Sequence, residues 1–548
     1  MSDAIKHECA VALLVLRTKG AADGATKLSL LLEKQHNRGQ DGAGVVTLSA
    51  QPEAGRPAFN ELKSAGAPPL ADVLGQIARR RKLPDERIFL GHLRYATYGK
   101  GDVGFCHPFV HRAARLSRTL FLAGNFNLTN TRELFDAYVR MGKFPESEAD
   151  GYLICEWLAS TMLKVEMEGV ETDRGRILVE ALRRLLPKLD GAFTLCGMTG
   201  DGWSFAIRDA HGIRPGFCYV NDNVAVVASE RPAIQAAFNC GTADVAALEP
   251  GVALLVSPAG AVSHERVLAQ AEPRSCVFER IYFSRANDAE IHRERKALGA
   301  ALARPLLEAV HYDLDHTFFS YIPNSAQVAF HGLLQALWTE GLAEGRPVRF
   351  GQIAVKDAKF RTFIADAAAR REFYQHVYDV TYGLITPGED TLVVLDDSIV
   401  RGNTMKRAIL PMLDRLGPKR IIVASSAPPI LFPDCYGIDM STLGELVAFR
   451  ALVNRVGADA LTPETDLRAL AAKVPPAALA AEVARLITPD GMKAKVDVVF
   501  QTVEALHQSC PAARGDWYFT GDYPTPGGAR VLRRALENAL AHREGRSY

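Results

Sequence analysis

Apolar runs of strand length recur through the first half of the chain. Ala10 to Leu16, directly after Cys9, is uninterrupted and reads as a buried strand. Lys27 to His36 has helical spacing, and Phe89 to Leu93, Leu120 to Ala123, Ala192 to Met198 and Val224 to Ala228 read as further strands. Residues up to about Ser257 therefore predict one layered, sheet-rich unit. Ser49 to Pro84 is rich in Ala, Gly and Pro and reads as an inserted surface excursion, with Arg79-Arg80-Arg81-Lys82 as a solvated helix end. From about Ile291 the rhythm changes. A helix over Arg295 to Val310 is followed by Thr317 to Ile322, Gln327 to Leu337, Leu392 to Leu395, Thr404 to Leu416 and Arg420 to Ala424. That alternation of strand and helix predicts a parallel sheet with helices on its faces. After about Val453 the chain is Ala-rich and reads as helical, with breaks at Pro475-Pro476 and Pro489-Asp490-Gly491.

Composition narrows the class without choosing a function. A chain of 548 residues implies two or more domains. A net charge of +1 gives no global field for nucleic acid or an acidic membrane. No apolar stretch reaches the ~18 residues of a membrane span, and Met1 to Glu8 lacks a signal-peptide core. Nine cysteines, dispersed and without C-x-x-C spacing, fit reduced thiols and a cytoplasmic setting.

The chemistry is concentrated in two places. In Thr391-Leu-Val-Val-Leu-Asp396-Asp397-Ser398-Ile-Val-Arg401-Gly402-Asn403-Thr404 an apolar strand ends in two carboxylates, and a short polar loop leads into a helix. Carboxylates at a strand's carboxyl end, followed by backbone amides at a helix N-terminus, suit a phosphorylated sugar. The string resembles the phosphoribosyl pyrophosphate (PRPP) signature of type I phosphoribosyltransferases, and LDDSIVRGNT is most similar to the amidophosphoribosyltransferases.

Segments at the front resemble the class II glutamine amidotransferase domain of the same family. They are Cys9 at a strand head, Arg38-Gly-Gln-Asp41 within Gln35 to Gly44, Gly91-His-Leu-Arg94-Tyr95-Ala-Thr97, Gly124-Asn125-Phe126-Asn127, Asp150, Arg208 to Pro215, and Ala228-Ser229-Glu230. The resemblance implies that residues 1–8 are a propeptide whose removal gives Cys9 a free α-amine. A thiol pKa of about 8.5 against an amine near 7.7–8.0 makes that amine a usable local base. It further implies Cys9 as nucleophile, and the Asn125 amide with the Phe126 N–H as oxyanion donors. Arg94, Thr97 and Asp150 would bind glutamine. The family usually has Gly where this chain has Phe126, so a bulky ring must find room.

For the second half the resemblance implies Asp396, Asp397, Ser398, Val400, Arg401, Gly402, Asn403 and Thr404 as PRPP-binding. Lys356, Lys359 and Arg361 would come from a loop closing over PRPP. Asp396, Asp397 and Ser325 would hold Mg²⁺, and Tyr282, in Phe278-Glu279-Arg-Ile-Tyr282-Phe283, would stand near an ammonia channel. The pyrophosphate loop departs as Ile322-Pro323-Asn324-Ser325-Ala326, and the segment after the flexible loop as His376 to Tyr382. No [4Fe-4S] cluster is expected. Cys276 matches one ligand, Pro433-Asp434-Cys435-Tyr436-Gly437 is one residue out of register, and Gly515-Asp-Trp517-Tyr518 has no cysteine.

The implied fold is α/β multidomain: an N-terminal Ntn-hydrolase αββα sandwich, then a phosphoribosyltransferase parallel-sheet domain and a helical C-terminal region. The expected boundaries are 1–8 propeptide, 9–257 glutaminase, 258–290 connection, 291–453 phosphoribosyltransferase and 454–548 helical region. The implied activity is glutamine-dependent amination of PRPP, opening purine biosynthesis, by a homo-oligomer. The alternatives are a PRPP-binding regulator of the same fold, or an amidotransferase for another sugar phosphate.

Overall fold

The computed structural model describes residues 9–20, 22–96, 101–339, 342–356 and 378–543. Its first unit holds two stacked antiparallel sheets. The seven-stranded sheet runs, in spatial order, Ala246–Ala247, Phe217–Val220, Val224–Ala228, Ala10–Leu16, Glu86–Arg94, Gly42–Ser49, Phe59–Ser64. The six-stranded sheet runs Val262–Arg266, Val252–Val256, Ser204–Arg208, Gly191–Thr199, Leu120–Leu128, Phe109–His111.

Alternation along each strand assigns the layers. Val11, Leu13 and Val15 meet Phe121, Ala123, Cys196 and Met198 between the sheets. Ala10, Ala12 and Leu14 face helices Gly24–Lys34 and Arg231–Phe238. Leu120, Leu122 and Leu128 face helices Asp150–Glu168 and Arg174–Leu185 on the far side. The result is the expected αββα sandwich.

Ser49 to Pro84 is not a loose excursion. Phe59–Ser64 pairs in register with Gly42–Ser49, and helix Pro69–Arg79 buries Leu70 and Val73. Arg80 is not solvated either: its guanidinium makes two 2.7 Å bonds to the Glu86 carboxylate. Intermediate burial on an edge strand leaves a weak hydrophobic signal, which is why the run reads as loop.

The second unit is built on an all-parallel sheet ordered Arg349–Phe350, Thr317–Tyr321, Thr391–Asp396, Arg420–Ser425, Lys495–Phe500. The last strand corrects the expectation that residues 454–548 are purely helical. Two helices also differ. Arg295 to Val310 divides into Ala289–Ala301 and Ala303–Ala309, because Pro305 cannot donate to the carbonyl four residues back. Thr404 to Leu416 begins with a π turn, Met405–Ile409, ahead of Leu410–Asp414, which carries Pro411 in its first turn. Among the described residues no helix is long and apolar enough to cross a membrane.

Candidate active sites

Cys9 stands at the head of the central strand of the first sheet, and its Sγ accepts a hydrogen bond from the Tyr95 N–H at 3.3 Å. Arg94, the preceding residue, is buried with its guanidinium 5.4 Å from the Phe105 ring centre. The Arg38-Gly39-Gln40-Asp41 turn supports this strand end. Gly39 has φ +53°, and a Cβ there would lie 2.5 Å from the Leu93 carbonyl, so only glycine fits. Asp41 donates its N–H to the Arg94 carbonyl at 3.0 Å and accepts from the Ala96 N–H at 3.1 Å.

Asp150 opens helix Asp150–Glu168. Burial pushes the Cys9 thiol up to about 11; the Tyr95 N–H and Arg94 oppose this, while Asp150 and Asp41 add to it. One cation and two carboxylates thus converge on the thiol, a charge pattern that matches the carboxylate and ammonium of an amino acid. Asn125 shares strand parity with Phe121 and Ala123, so it faces the inter-sheet layer whose end Cys9 occupies. Phe126 has the opposite parity and packs towards the helical layer, so the ring finds its room away from the thiol. Thr97 and residues 1–8 lie outside the described residues.

At the carboxyl end of the parallel sheet is a cavity of about 660 Å³. It is lined by Asp396 to Gly402 and Thr404, by Ile322 to Ser325, by Tyr282 to Asn287 of the connecting segment, and by Asn37 from the first sandwich. Asp397 accepts from the Ser398 hydroxyl at 2.9 Å and from the Ser325 hydroxyl. Asp396 accepts from the Asp397 N–H at 2.9 Å. Burial, reinforced by the neighbouring Asp397, holds the Asp396 carboxyl well above its ordinary range. Asp397 is raised by burial against the opposing Ser325 and Ser398 hydroxyls and Arg295.

Gly402 turns the loop with φ +80°, its Cβ position 2.7 Å from Ile487 Cγ2. The chain turns helical immediately afterwards, at Asn403. Arg401 has protein partners as well as a place at the cavity. It lines the cavity, yet its guanidinium pairs with Glu445 at 2.7 Å and donates to the Asp439 carbonyl at 3.1 Å. Its guanidinium is thus tied to protein partners at the cavity wall, beside the amides and hydroxyls of the loop. Lys356 ends strand Ala354–Lys356, but its side chain, Lys359 and Arg361 lie outside the described residues.

Two carboxylates and a serine hydroxyl facing one cavity fit a hard divalent cation. Mg²⁺ is commonly held by one or two carboxylates together with substrate phosphate oxygens.

No protein-family model matches the chain. Among curated relatives, the amidophosphoribosyltransferase of Bacillus subtilis (strain 168) is 30% identical over 442 residues, covering 79% of this chain and 83% of that protein. The chain belongs to the amidophosphoribosyltransferase family. The Synechocystis sp. amidophosphoribosyltransferase is 29% identical over 535 residues, covering 92% of this chain and 90% of its own. The fold matches the solved B. subtilis glutamine PRPP amidotransferase complexed with ADP and GMP, with TM-score 0.69 at 24% identity over 94% of this chain and 97% of that one. A structure described as the allosteric regulatory enzyme of purine biosynthesis matches with TM-score 0.69, 25% identity and coverage of 94% and 96%.

Within this fold, buried charged residues that were assigned no role from the sequence organise the sites. Arg38 donates to Glu230 at 2.7 Å and to both oxygens of Glu279, all three side chains being buried. Arg295 donates to the carbonyls of Arg280, Tyr282 and Ser284 at 2.7–2.8 Å. Together they fix the π turn Glu279–Phe283 that carries Tyr282 to the cavity wall. The available clue was positional: Arg295 shares a helix face with Ile291 and Leu298, where a charge must be paired. At the positions compared with cluster ligands, Trp517 Nε1 donates to Asp434 at 2.8 Å and the Tyr518 hydroxyl lies 3.5 Å from Cys276 Sγ.

Proposed function

We propose that this chain hydrolyses glutamine at Cys9 and uses the ammonia to aminate PRPP beside Asp396 and Asp397. The products are glutamate, pyrophosphate and 5-phosphoribosylamine, at the opening of purine synthesis. One observation carries the coupling: the acidic strand end, the Tyr282 segment and Asn37 of the glutaminase sandwich line a single cavity.

In this reading residues 1–8 are removed. A thiol lifted to about 11 is protonated near neutrality, so the nucleophile needs a base. The freed Cys9 amine takes the thiol proton as sulfur bonds to the side-chain carbon of glutamine. The oxyanion is met by the Asn125 amide and the Phe126 N–H. Collapse breaks the C–N bond, the amine returns its proton to the leaving nitrogen, and ammonia departs. Water then hydrolyses the thioester. Arg94 and Asp150 orient glutamine by its charged ends.

At the second site ammonia bonds to C1 of PRPP as the C1–O bond to pyrophosphate breaks. Asp396 and Asp397 orient the ribose hydroxyls, and amides of Ser398 to Thr404 hold the 5-phosphate. Mg²⁺ held by Asp396, Asp397 and Ser325 would neutralise charge on the departing pyrophosphate. We propose no iron–sulfur requirement, a reading supported by the Trp517–Asp434 bond filling that region.

Intact-mass analysis with a product assay tests the whole. The expected result is a chain starting at Cys9 that releases glutamate, pyrophosphate and phosphoribosylamine. Cys9→Ala should abolish glutamine-dependent synthesis and leave synthesis from ammonium salts within about twofold. Loss of both would contradict two separable sites. PRPP binding without either activity would favour a regulatory protein.

A further inference from the structure

The strand bearing Asn125 has an unusual edge. Leu120–Leu128 pairs along its length with Gly191–Thr199, but on its other side Phe109–His111 reaches only Leu120 to Leu122. From Gly124 onward that side has no β partner among the described residues. An antiparallel residue aims its N–H and C=O in one direction, and the direction alternates along the strand. Gly124 and Phe126 therefore share parity with Leu120 and Leu122 and point out of this edge.

Two imidazoles take the place of the missing strand at Gly124. The Gly124 N–H donates to His107 Nδ1 at 3.3 Å, and His92 Nε2 lies 3.1 Å from the Gly124 carbonyl. These contacts require a bare Nδ1 on His107 and a proton on His92 Nε2. His92 Nδ1 is buried with no hydrogen-bond partner among the described residues, as befits its bare nitrogen. Burial drives His92 down to about 3 and His107 well below its ordinary value, with Arg94 pushing both further, so both rings stay neutral.

Packing holds the rings in position. His92 and His107 stack at 4.0 Å and 19°, and His107 stacks on Phe126 at 5.3 Å and 22°. On the far side, a Cβ at Gly151 would lie 2.9 Å from Phe126 Cζ. Behind His107, a Cβ at Gly44 would lie 2.0 Å from its carbonyl oxygen. The stack thus runs from the strand that carries Arg94, around the edge beside Asn125, to the residue following Asp150. Phe126, bulky where the family usually has glycine, is its third ring.

We propose that His107 and His92 are positioning residues for glutamine hydrolysis: they clamp the Gly124 peptide and thereby set the Asn125 amide and the Phe126 N–H as the oxyanion-binding pair. This rests on the glutaminase reading above. Neither imidazole need touch substrate. A donor displaced by about 1 Å loses much of its effect on the transition state while substrate binding through Arg94 and Asp150 is kept.

Two substitutions separate the acceptor from the ring. His107→Phe keeps the stack and removes the acceptor; His107→Asn keeps an acceptor at a similar reach and removes the ring. The expected result is a fall of roughly tenfold to hundredfold in kcat for glutamine in His107→Phe. Its KM for glutamine and its ammonia-dependent synthesis should stay within about threefold of wild type. His107→Asn should recover most of kcat. Amide hydrogen exchange over residues 120–128 should quicken in His107→Phe and not in His107→Asn. Wild-type kcat and exchange in His107→Phe, or equal losses in both variants, would overturn the clamp. A wild-type protein that hydrolyses no glutamine, yet shows the exchange pattern, would overturn the assignment to catalysis while leaving the contact itself standing.

Discussion

Asp396, proposed above to orient the ribose, is a carboxyl whose ionisation the fold itself disfavours. Its folded pKa lies above its unfolded value because burial and the adjacent Asp397 both disfavour the anion. Such a group contributes stability at low pH and loses that contribution as pH rises through the folded value. Asp396→Asn is neutral throughout. Without divalent cation it should therefore be more stable than wild type near pH 8, by on the order of 1 kcal/mol. The advantage should shrink towards pH 4, where the wild-type carboxyl is itself protonated. Thermal unfolding at the two pH values checks this, with loss of PRPP turnover expected alongside. Equal stability at both would mean that Asp396 is not held against its ionisation. The sequence displayed both carboxylates and their strand, since Leu392 to Leu395 is an apolar run. It did not display the Arg401–Glu445 pair, because a guanidinium's partner is chosen by tertiary packing and not by the loop it belongs to.

At the scale of elements, the π turn Glu279–Phe283 is held from outside. Arg38 lies in a turn of the first sandwich, and Glu279 in the segment between the two sheets' units, 241 residues further on. Arg38 is raised by its two carboxylate partners against the cost of burial, and Glu279 is lowered by Arg38 against its own burial. Removing the cation leaves two buried carboxylates facing each other. Arg38→Met should cost roughly 3–5 kcal/mol of unfolding free energy near neutral pH. The deficit should narrow in acid, since a lowered carboxyl gives up its stabilisation as pH falls through its folded pKa. Denaturant unfolding at pH 7 and pH 4 reads this directly; a loss below about 1 kcal/mol at pH 7 would mean that water reaches the carboxylates. Element existence was largely legible, because strands such as Ala10–Leu16 and Arg420–Ser425 are built on continuous apolar runs, the latter from Ile421 to Ala424. Phe59–Ser64 and Lys495–Phe500 were not, being edge strands whose mixed polar faces carry little periodic signal. The Arg38–Glu230–Glu279 network was visible only as three separate motif residues.

At the scale of the molecule, the strand bearing Asn125 touches the unit built on the parallel sheet directly. Asn127, two residues beyond Asn125, donates its side-chain N–H to the Cys435 carbonyl at 2.7 Å in a buried setting. The loop around Cys435 is rigid for local reasons: Asp434 accepts from the N–H groups of Tyr436 and Ile438 and from Trp517. At its far end the Asp439 carbonyl accepts from Arg401 of the phosphate loop. One continuous set of contacts thus joins the loop proposed to hold the 5-phosphate to the strand proposed to hold the oxyanion. Contiguity alone does not establish coupling, and a change at one end must be shown to alter the other. Asn127→Leu keeps the volume and removes the donor, leaving a buried carbonyl unsatisfied at a cost of about 1–3 kcal/mol. If the link transmits PRPP binding, the ratio of glutamine hydrolysis with and without PRPP should fall at least about fivefold, the lower range of measured coupling energies. Synthesis from ammonia should stay within about twofold, since nothing at the acidic strand end has moved. A variant that loses stability but keeps the full ratio would make Asn127 a structural tie between the two units, and the signal would then have to cross through the Tyr282 segment instead.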